Sequence, residues 1–292
     1  MERITLAAPA KINLSLRILG KRPDGYHELE TLMAPLRLAD SVEISHGGGE
    51  GIRFLCNDPD LPAGGDNLCV KAAKAFLKET GLHHGLSITL LKRIPHGAGL
   101  GGGSSDAAAV LRGLNDLFDH PLVAEELHLL AAGLGSDVPF FLHGVPAWCR
   151  GRGEVVEPLE KAESLPERTL LLIKPPFPIP TPWAYQRYAE LQKLHPPAAT
   201  EPSQWLGELE IRNDLEAPVF QKYILLPVMK NWMRAREGVE SAFMTGSGST
   251  MVAVMRPDAP QGCVVALRES IASEFGPTFW MQETGFADRS SA

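Results

Sequence analysis

The chain has few cysteines, few aromatic rings, no excess of basic charge and no apolar run long enough to cross a membrane. Its four cysteines in 292 residues, Cys56, Cys69, Cys149 and Cys263, lie far apart and form no C-x-x-C pair. A disulfide framework and a thiolate metal centre are therefore not expected, and the thiols read as reduced ones in a reducing compartment. Nine histidines without H-x-H or H-x-x-x-H spacing leave no zinc pattern, so no resident metal centre is expected. Lys plus Arg is 28 against 35 for Asp plus Glu, a net charge of −7. That excludes a protein that coats nucleic acid, because such binding needs a broad basic face to displace counterions. Anionic small molecules stay open, since a few placed cations and backbone amides hold them. Charges interrupt every apolar run before the ~20 residues a bilayer requires. Met1-Glu2-Arg3-Ile4-Thr5 lacks the basic-then-apolar order of a secretory signal. The expectation is a cytoplasmic protein with neither a membrane nor a nucleic-acid partner, monomeric or weakly dimeric.

What is present is ordinary globular material, 44% hydrophobic and 22% charged. At ~100–200 residues per domain the length suits two domains. Ile12, Leu14, Leu16 and Ile18 alternate with Lys11, Asn13, Ser15 and Arg17, the pattern of a strand with one buried face. Further strands are expected at Leu29–Leu36, Ser41–Ile44, Ile52–Leu55 and Leu86–Leu91. Asp66-Asn67 caps a helix carrying Val70, Ala73, Phe76 and Leu77, which Gly81 ends. Helices follow at Ser104–Leu117 and Val123–Ala132, then a hairpin at Val145–Leu159 turning through Gly151-Arg152-Gly153. The polar stretch Glu160–Glu167 marks a boundary between domains at 1–160 and 161–292. The second half reads as a strand at Thr169–Ile173, the stiff run Pro175–Pro182 and a surface loop at His195–Pro202. A helix at Pro218–Arg236, strands at Ser241–Met244 and Thr250–Met255, a helix at Gln261–Phe275 and a strand at Thr278–Met281 complete it. The class is mixed α and β in two packed halves.

The most informative segment runs Pro95, His96, Gly97, Ala98, Gly99, Leu100, Gly101, Gly102, Gly103, Ser104, Ser105, between a strand and a helix. Five glycines in seven residues let successive backbone N–H groups turn into one concavity. The helix that follows adds its unpaired N-terminal amides and the positive end of its dipole. This is an anion site, with Ser104 and Ser105 offering hydroxyls to a phosphate or a metal. No lysine precedes Ser104, so it is not a Walker A loop. Gly97, Gly99 and Gly102 satisfy G-x-G-x-x-G. A dinucleotide fold would also need the helix to lead into a second parallel strand, whereas here it leads through Pro121 into another helix.

The order Pro-x-x-x-Gly-Leu-Gly-x-Gly-Ser-Ser resembles the ATP-binding motif of the GHMP small-molecule kinases. The resemblance extends through Pro9-Ala10-Lys11-Ile12-Asn13-Leu14, Arg22-Pro23-Asp24-Gly25-Tyr26-His27 and Gly135-Ser136-Asp137-Val138-Pro139-Phe140-Phe141. It continues in Pro178-Ile179-Pro180-Thr181-Pro182, Asn213-Asp214-Leu215-Glu216 and Thr245-Gly246-Ser247-Gly248. It implies an α+β fold of two domains, an N-terminal ribosomal protein S5 domain 2-like α/β domain and a C-terminal ferredoxin-like one, with substrate and nucleotide meeting between them. It implies ATP as co-substrate, Mg²⁺ riding on the ATP phosphates, and, within the family, an acceptor alcohol that carries a cytidine diphosphate group.

By the same resemblance Asp137 accepts the proton of the acceptor hydroxyl, while Lys11 keeps Asp137 ionised and stabilises developing negative charge. Alone, Lys11 is a solvated strand lysine and Asp137 a helix N-cap; only their joint placement in matching motifs makes them catalytic candidates. Asp24-Gly25 makes a tight turn, after which Tyr26 can stack on a base and His27 can bond its polar edge. The resemblance pairs Tyr26 with a second ring, here Tyr185. Asn13 and Thr181 are assigned to substrate polar groups, and Gly246, Ser247 and Gly248 to a second glycine-rich loop closing on the diphosphate or the moving phosphoryl group. Asn67 is a candidate for the adenine pocket. Alternatives are another kinase of the family acting on mevalonate-type or amino-acid alcohols, a nicotinamide-dependent oxidoreductase, and a nucleotide sensor without catalysis.

Overall fold

In the computed structural model, residues 2–47, 49–62, 64–160, 165–194 and 204–287 are described. The expected surface loop His195–Pro202, and residues 161–164 of the expected boundary, lie outside them. The chain opens with a long antiparallel pair, β1 (Arg3–Lys21) and β2 (His27–Gly47). The two expected strands at Leu29–Leu36 and Ser41–Ile44 are one continuous β2. Its halves have different neighbours. Leu29–Met33 pairs with β5 (Ala147–Gly151), which pairs in turn with β6 (Val155–Pro158). Ser41–Gly47 pairs antiparallel with β4 (Gly85–Leu91), beside which β3 (Ile52–Cys56) lies parallel. An antiparallel β2–β4 pair beside the glycine-rich loop removes the doubly wound dinucleotide fold from consideration.

Helices α1 (Leu68–Thr80), α2 (Gly102–Leu117), α3 (Ala124–Leu134) and α4 (Val138–His143) cover one part of this sheet. Asn67 caps α1 as expected, its side-chain oxygen accepting the Cys69 N–H at 2.9 Å. A second sheet, in the order β10–β11–β7–β12, comprises β7 (Thr169–Lys174), β10 (Val239–Met244), β11 (Met251–Met255) and β12 (Trp280–Gly285). One of its faces, with Leu170, Leu172, Val252 and Val254, packs on Ile12, Leu14 and Leu32 of the first sheet. The other face packs against α5 (Thr181–Leu194), α6 (Glu216–Lys222), α7 (Leu225–Arg234) and α8 (Cys263–Phe275).

β1 thereby becomes the central strand of the molecule. Ile12 and Leu14 are fully buried in the inter-sheet core, each worth roughly 1.5–3 kcal/mol. Period-two alternation sends Lys11 and Asn13 to the opposite face.

Three expectations in the second half change. The helix expected at Pro218–Arg236 is two helices, α6 and α7. Pro227 lacks an N–H, and in a continuous helix its ring would strike the carbonyl of Tyr223, where the break falls. The stiff run expected at Pro175–Pro182 ends in a helix, because Thr181 and Pro182 open α5 and a first turn needs no N–H from the proline. A short hairpin, β8 (Gln204–Leu206) and β9 (Leu209–Asn213), lies where no strand was expected. β9 joins β1 in parallel, Ser15 opposite Arg212 and Leu16 opposite Asn213, so this segment returns to the first sheet.

Candidate active site

Between β4 and α2 the glycine-rich loop bends around a cleft of about 300 Å³, lined by Pro95 through Ser104 together with Asn67, Lys92 and Asp106. Gly97, Gly99 and Gly101 have φ of +63°, +76° and +71°, a region that L side chains adopt only under strain. Gly101 is moreover pinned from two sides. A Cβ there would lie 2.7 Å from the Phe141 ring and 3.0 Å from Lys11 Cγ. Glycine is thus what lets the loop approach the β1 lysine. Ser104 lines the cleft; Ser105 does not. Its side chain turns inward on α2, buried, with its hydroxyl unpartnered among the described residues.

The loop is anchored at its root. Asp40 Oδ1 accepts the N–H groups of Arg93 at 2.5 Å and Ile94 at 2.8 Å. Lys92 Nζ donates to Asp40 Oδ2 at 2.5 Å and to Asp106 Oδ2 at 2.8 Å, tying the strand before the loop to the helix after it. Burial pushes the Asp106 carboxyl up to about 7; Asp40's charge adds to the rise and Lys92 opposes it. No local spacing marks this trio, because its members come from three separate elements.

A second cleft, of about 820 Å³, shares Gly99 and Gly101 with the first. Lys11 stands where they join. Its Nζ donates to Asn13 Oδ1 at 2.6 Å and to the Gly99 carbonyl at 3.1 Å, and lies 3.6 Å from Asp137 Oδ2. Only 5% of the lysine side chain is exposed, against 33% for Asp137. A nearly buried ammonium thus faces a carboxylate open to the cleft. Asp137 stands at the N-cap position of α4 but makes no side-chain cap bond; its carboxylate is free to face Lys11. Asn13 orients that lysine and is itself fixed, its Nδ2 donating to Thr31 Oγ1 at 2.8 Å and its N–H to Thr245 Oγ1 at 2.9 Å.

The second glycine-rich loop forms the opposing wall. Gly246 and Ser247 line the cleft, and Ser247 Oγ lies 2.8 Å from Thr181 Oγ1. Gly248 instead packs toward Met244 and Ile179 and is not among the lining residues. Asn213, quoted in a motif but given no role, braces this loop by donating to the carbonyls of Met244 at 2.7 Å and Gly246 at 2.8 Å.

At the far end of the cleft Tyr26 is 53% exposed. The ring that stacks on Tyr185 is that of His27, with centroids 5.4 Å apart and planes at 25°. Tyr26, expected to pair with Tyr185, instead lies under the guanidinium of Arg152, 5.0 Å from its ring centroid. Burial and the nearby Lys21 charge lower the His27 pKa, so a neutral ring, able both to donate and to accept, faces the cleft. Its Nε2 is buried and has no hydrogen-bond partner among the described residues.

An anion loop opening onto a second pocket, with an ordered lysine and a carboxylate at the junction, defines a small-molecule kinase of the GHMP class. Residues 67–145 match the model of the GHMP kinases N terminal domain. Solved structures agree: a crystal structure of 4-(cytidine 5'-diphospho)-2C-methyl-D-erythritol kinase superimposes with a TM-score of 0.77 at 35% identity, covering 98% of this chain and 100% of that one. The Methanococcus jannaschii mevalonate kinase, at 14% identity and a TM-score of 0.67 over 98% of this chain and 99% of its own, shares the fold. The 4-diphosphocytidyl-2-C-methyl-D-erythritol kinase of Methylacidiphilum infernorum is 47% identical over 279 residues, 94% of each chain. The chain belongs to the family of 4-diphosphocytidyl-2-C-methyl-D-erythritol kinases.

Proposed function

We propose that the protein transfers the γ-phosphoryl group of ATP to the 2-hydroxyl of 4-diphosphocytidyl-2-C-methyl-D-erythritol, a step toward isoprenoid precursors outside the mevalonate route. The observation that carries this reading is the Lys11–Asp137 pair at the mouth shared by the two clefts. ATP lies along Pro95–Ser104, its phosphates directed by the loop amides toward Gly99 and Gly101, with Asn67 near the adenine end. The acceptor lies in the larger cleft, its base end at Tyr26, His27 and Tyr185 and its alcohol end at Asp137.

Phosphoryl transfer leaves the protein three tasks: alignment, neutralisation of charge on the moving group, and disposal of the acceptor's proton. Asp137 accepts that proton. Lys11, shielded from water and held by Asn13 and the Gly99 carbonyl, sets its ammonium beside Asp137 and stabilises the negative charge that develops there. Gly246 and Ser247 close over the transferring group, and Thr181 orients the substrate through its contact with Ser247. Mg²⁺ takes oxygen ligands and keeps several waters when it rides on nucleotide phosphates. Ser104, a hard oxygen donor on the first turn of α2 and on the cleft wall, is the residue that would hold it. When bound, the ion neutralises phosphate charge.

No described helix is long and apolar enough to cross a membrane, and all four cysteines are free thiols. We take the enzyme to act in the cytoplasm as a monomer or weak dimer. The test is ADP release coupled to a spectrophotometric readout, with the cytidyl substrate, mevalonate or homoserine as acceptor. Release that depends on the cytidyl substrate alone is expected; equal release with mevalonate, or release with no acceptor, overturns the proposal.

A further inference from the structure

The β5–β6 hairpin turn, Gly151-Arg152-Gly153, enters the larger cleft at a point that no assigned role covers. Gly151 and Gly153 have φ of +71° and +120°, and the Gly153 N–H closes the turn on the Arg150 carbonyl at 3.0 Å. Glu154 shapes the tip, one carboxylate oxygen accepting the Arg152 N–H at 2.6 Å and the other accepting from Arg152 Nε at 3.4 Å. The turn leans on the catalytic end: a Cβ at Gly153 would lie 3.5 Å from the Ser136 carbonyl oxygen and 3.7 Å from Asp137 Oδ1. The Arg152 side chain reaches the other way, over the Tyr26 ring. One three-residue turn therefore touches both ends of the substrate's path.

The contact over the Tyr26 ring occupies no hydrogen-bond acceptor and so leaves the Nη donors of the guanidinium available. Nη1 and Nη2 hold no hydrogen bond to the described residues, and 28% of the side chain is exposed. Of the other cations lining the cleft, Lys11 is committed to Asn13, Gly99 and Asp137, while Lys21 and Lys193 are ammonium groups without a planar fork. A ligand with its base at Tyr26 and its alcohol at Asp137 must carry any linking diphosphate across the interval that Arg152 spans. A planar fork of donors matches phosphate oxygens two at a time. We infer that Arg152 is the substrate's diphosphate-binding residue and sets the preference for a nucleoside diphosphate over the bare nucleoside. This inference rests on the substrate reading given above.

The experiment titrates cytidine and cytidine diphosphate, in the absence of ATP, against wild type, Arg152→Ala and Arg152→Lys by calorimetry, with steady-state KM for the full substrate and for ATP measured in parallel. Loss of a charge-assisted pair should weaken cytidine diphosphate binding roughly tenfold or more in Arg152→Ala. Cytidine binding and the KM for ATP should stay within about twofold, and Arg152→Lys, keeping charge without the fork, should recover part of the loss. Unchanged cytidine diphosphate affinity in Arg152→Ala overturns the inference while leaving the substrate reading intact. Equal losses for cytidine and cytidine diphosphate also overturn it, since the arginine would then be supporting the Tyr26 ring rather than a phosphate. Wild type that binds neither ligand overturns the substrate reading, and this inference with it.

Discussion

Gly99 and Gly248 meet backbone to backbone: a Cβ placed on Gly99 would lie 2.8 Å from the Gly248 carbonyl oxygen and 3.1 Å from that of Thr245. The nucleotide loop of the first sheet and the hairpin loop of the second thus touch through main chain alone, and the Gly99 carbonyl also accepts from Lys11 at 3.1 Å. This contact brings the two clefts to a common mouth.

Gly99→Ala tests it. At φ +76° an alanine carries strain of about 1–3 kcal/mol, and its methyl has only backbone to push against. The variant should melt at a lower temperature and lose most of its turnover, because the loops must part at the transfer point. Wild-type turnover would show that they need not touch.

Asp137→Asn removes the proton acceptor while keeping size and shape. The kcat should fall by roughly 10²–10⁴, with the KM for the cytidyl substrate little changed and the melting temperature close to wild type, because Asp137 makes no cap bond for α4. Turnover within a few-fold of wild type would remove Asp137 from the role of base.

The features legible in the sequence are those that local chemistry dictates. Alternation along Lys11–Ile18 placed Lys11 and Asn13 on one face; glycine density marked the nucleotide loop; Asn67 before an amphipathic run marked its helix. What stayed hidden depends on partners distant in the chain. Arg152 over Tyr26, Asn213 beneath the second loop, and Lys92 between Asp40 and Asp106 each join elements with no common spacing. His27 took the place beside Tyr185 expected for Tyr26, because β2 begins at His27, whose ring reaches α5, whereas Tyr26 still belongs to the bend before the strand. α5 itself was masked by the stiff proline run that leads into it, whose last member, Pro182, occupies the helix's first turn.

The buried trio predicts a pH dependence of stability. Asp106 sits at about 7 when folded, with burial the chief cause, against an ordinary value of 3.8. A carboxyl raised in this way binds more protons folded than unfolded, so its contribution to stability is present at acid pH and is lost as pH rises through about 7. Asp106→Asn keeps an acceptor for Lys92, leaves the Lys92–Asp40 pair neutral overall and removes the titration. Chemical denaturation between pH 5 and pH 8 should show the variant gaining stability relative to wild type as pH rises. A difference that stays flat, or one that runs the other way, contradicts the assignment.

His27 predicts a pH dependence of substrate binding. Its pKa is lowered, first by burial and then by the Lys21 charge, so the neutral ring persists below the pH at which a free imidazole would take up a proton. Protonation forces an extra positive charge into a site with no described partner for Nε2 and leaves the ring a donor only. At saturating ATP, kcat/KM for the cytidyl substrate should therefore hold steady on acidification past the ordinary histidine value and fall only beyond it. His27→Gln, which retains a donor and an acceptor without titrating, should weaken binding modestly and abolish that acid limb. An acid limb unchanged in the glutamine variant would assign it to another group, and the cytosine-reading role of His27 would lose its support.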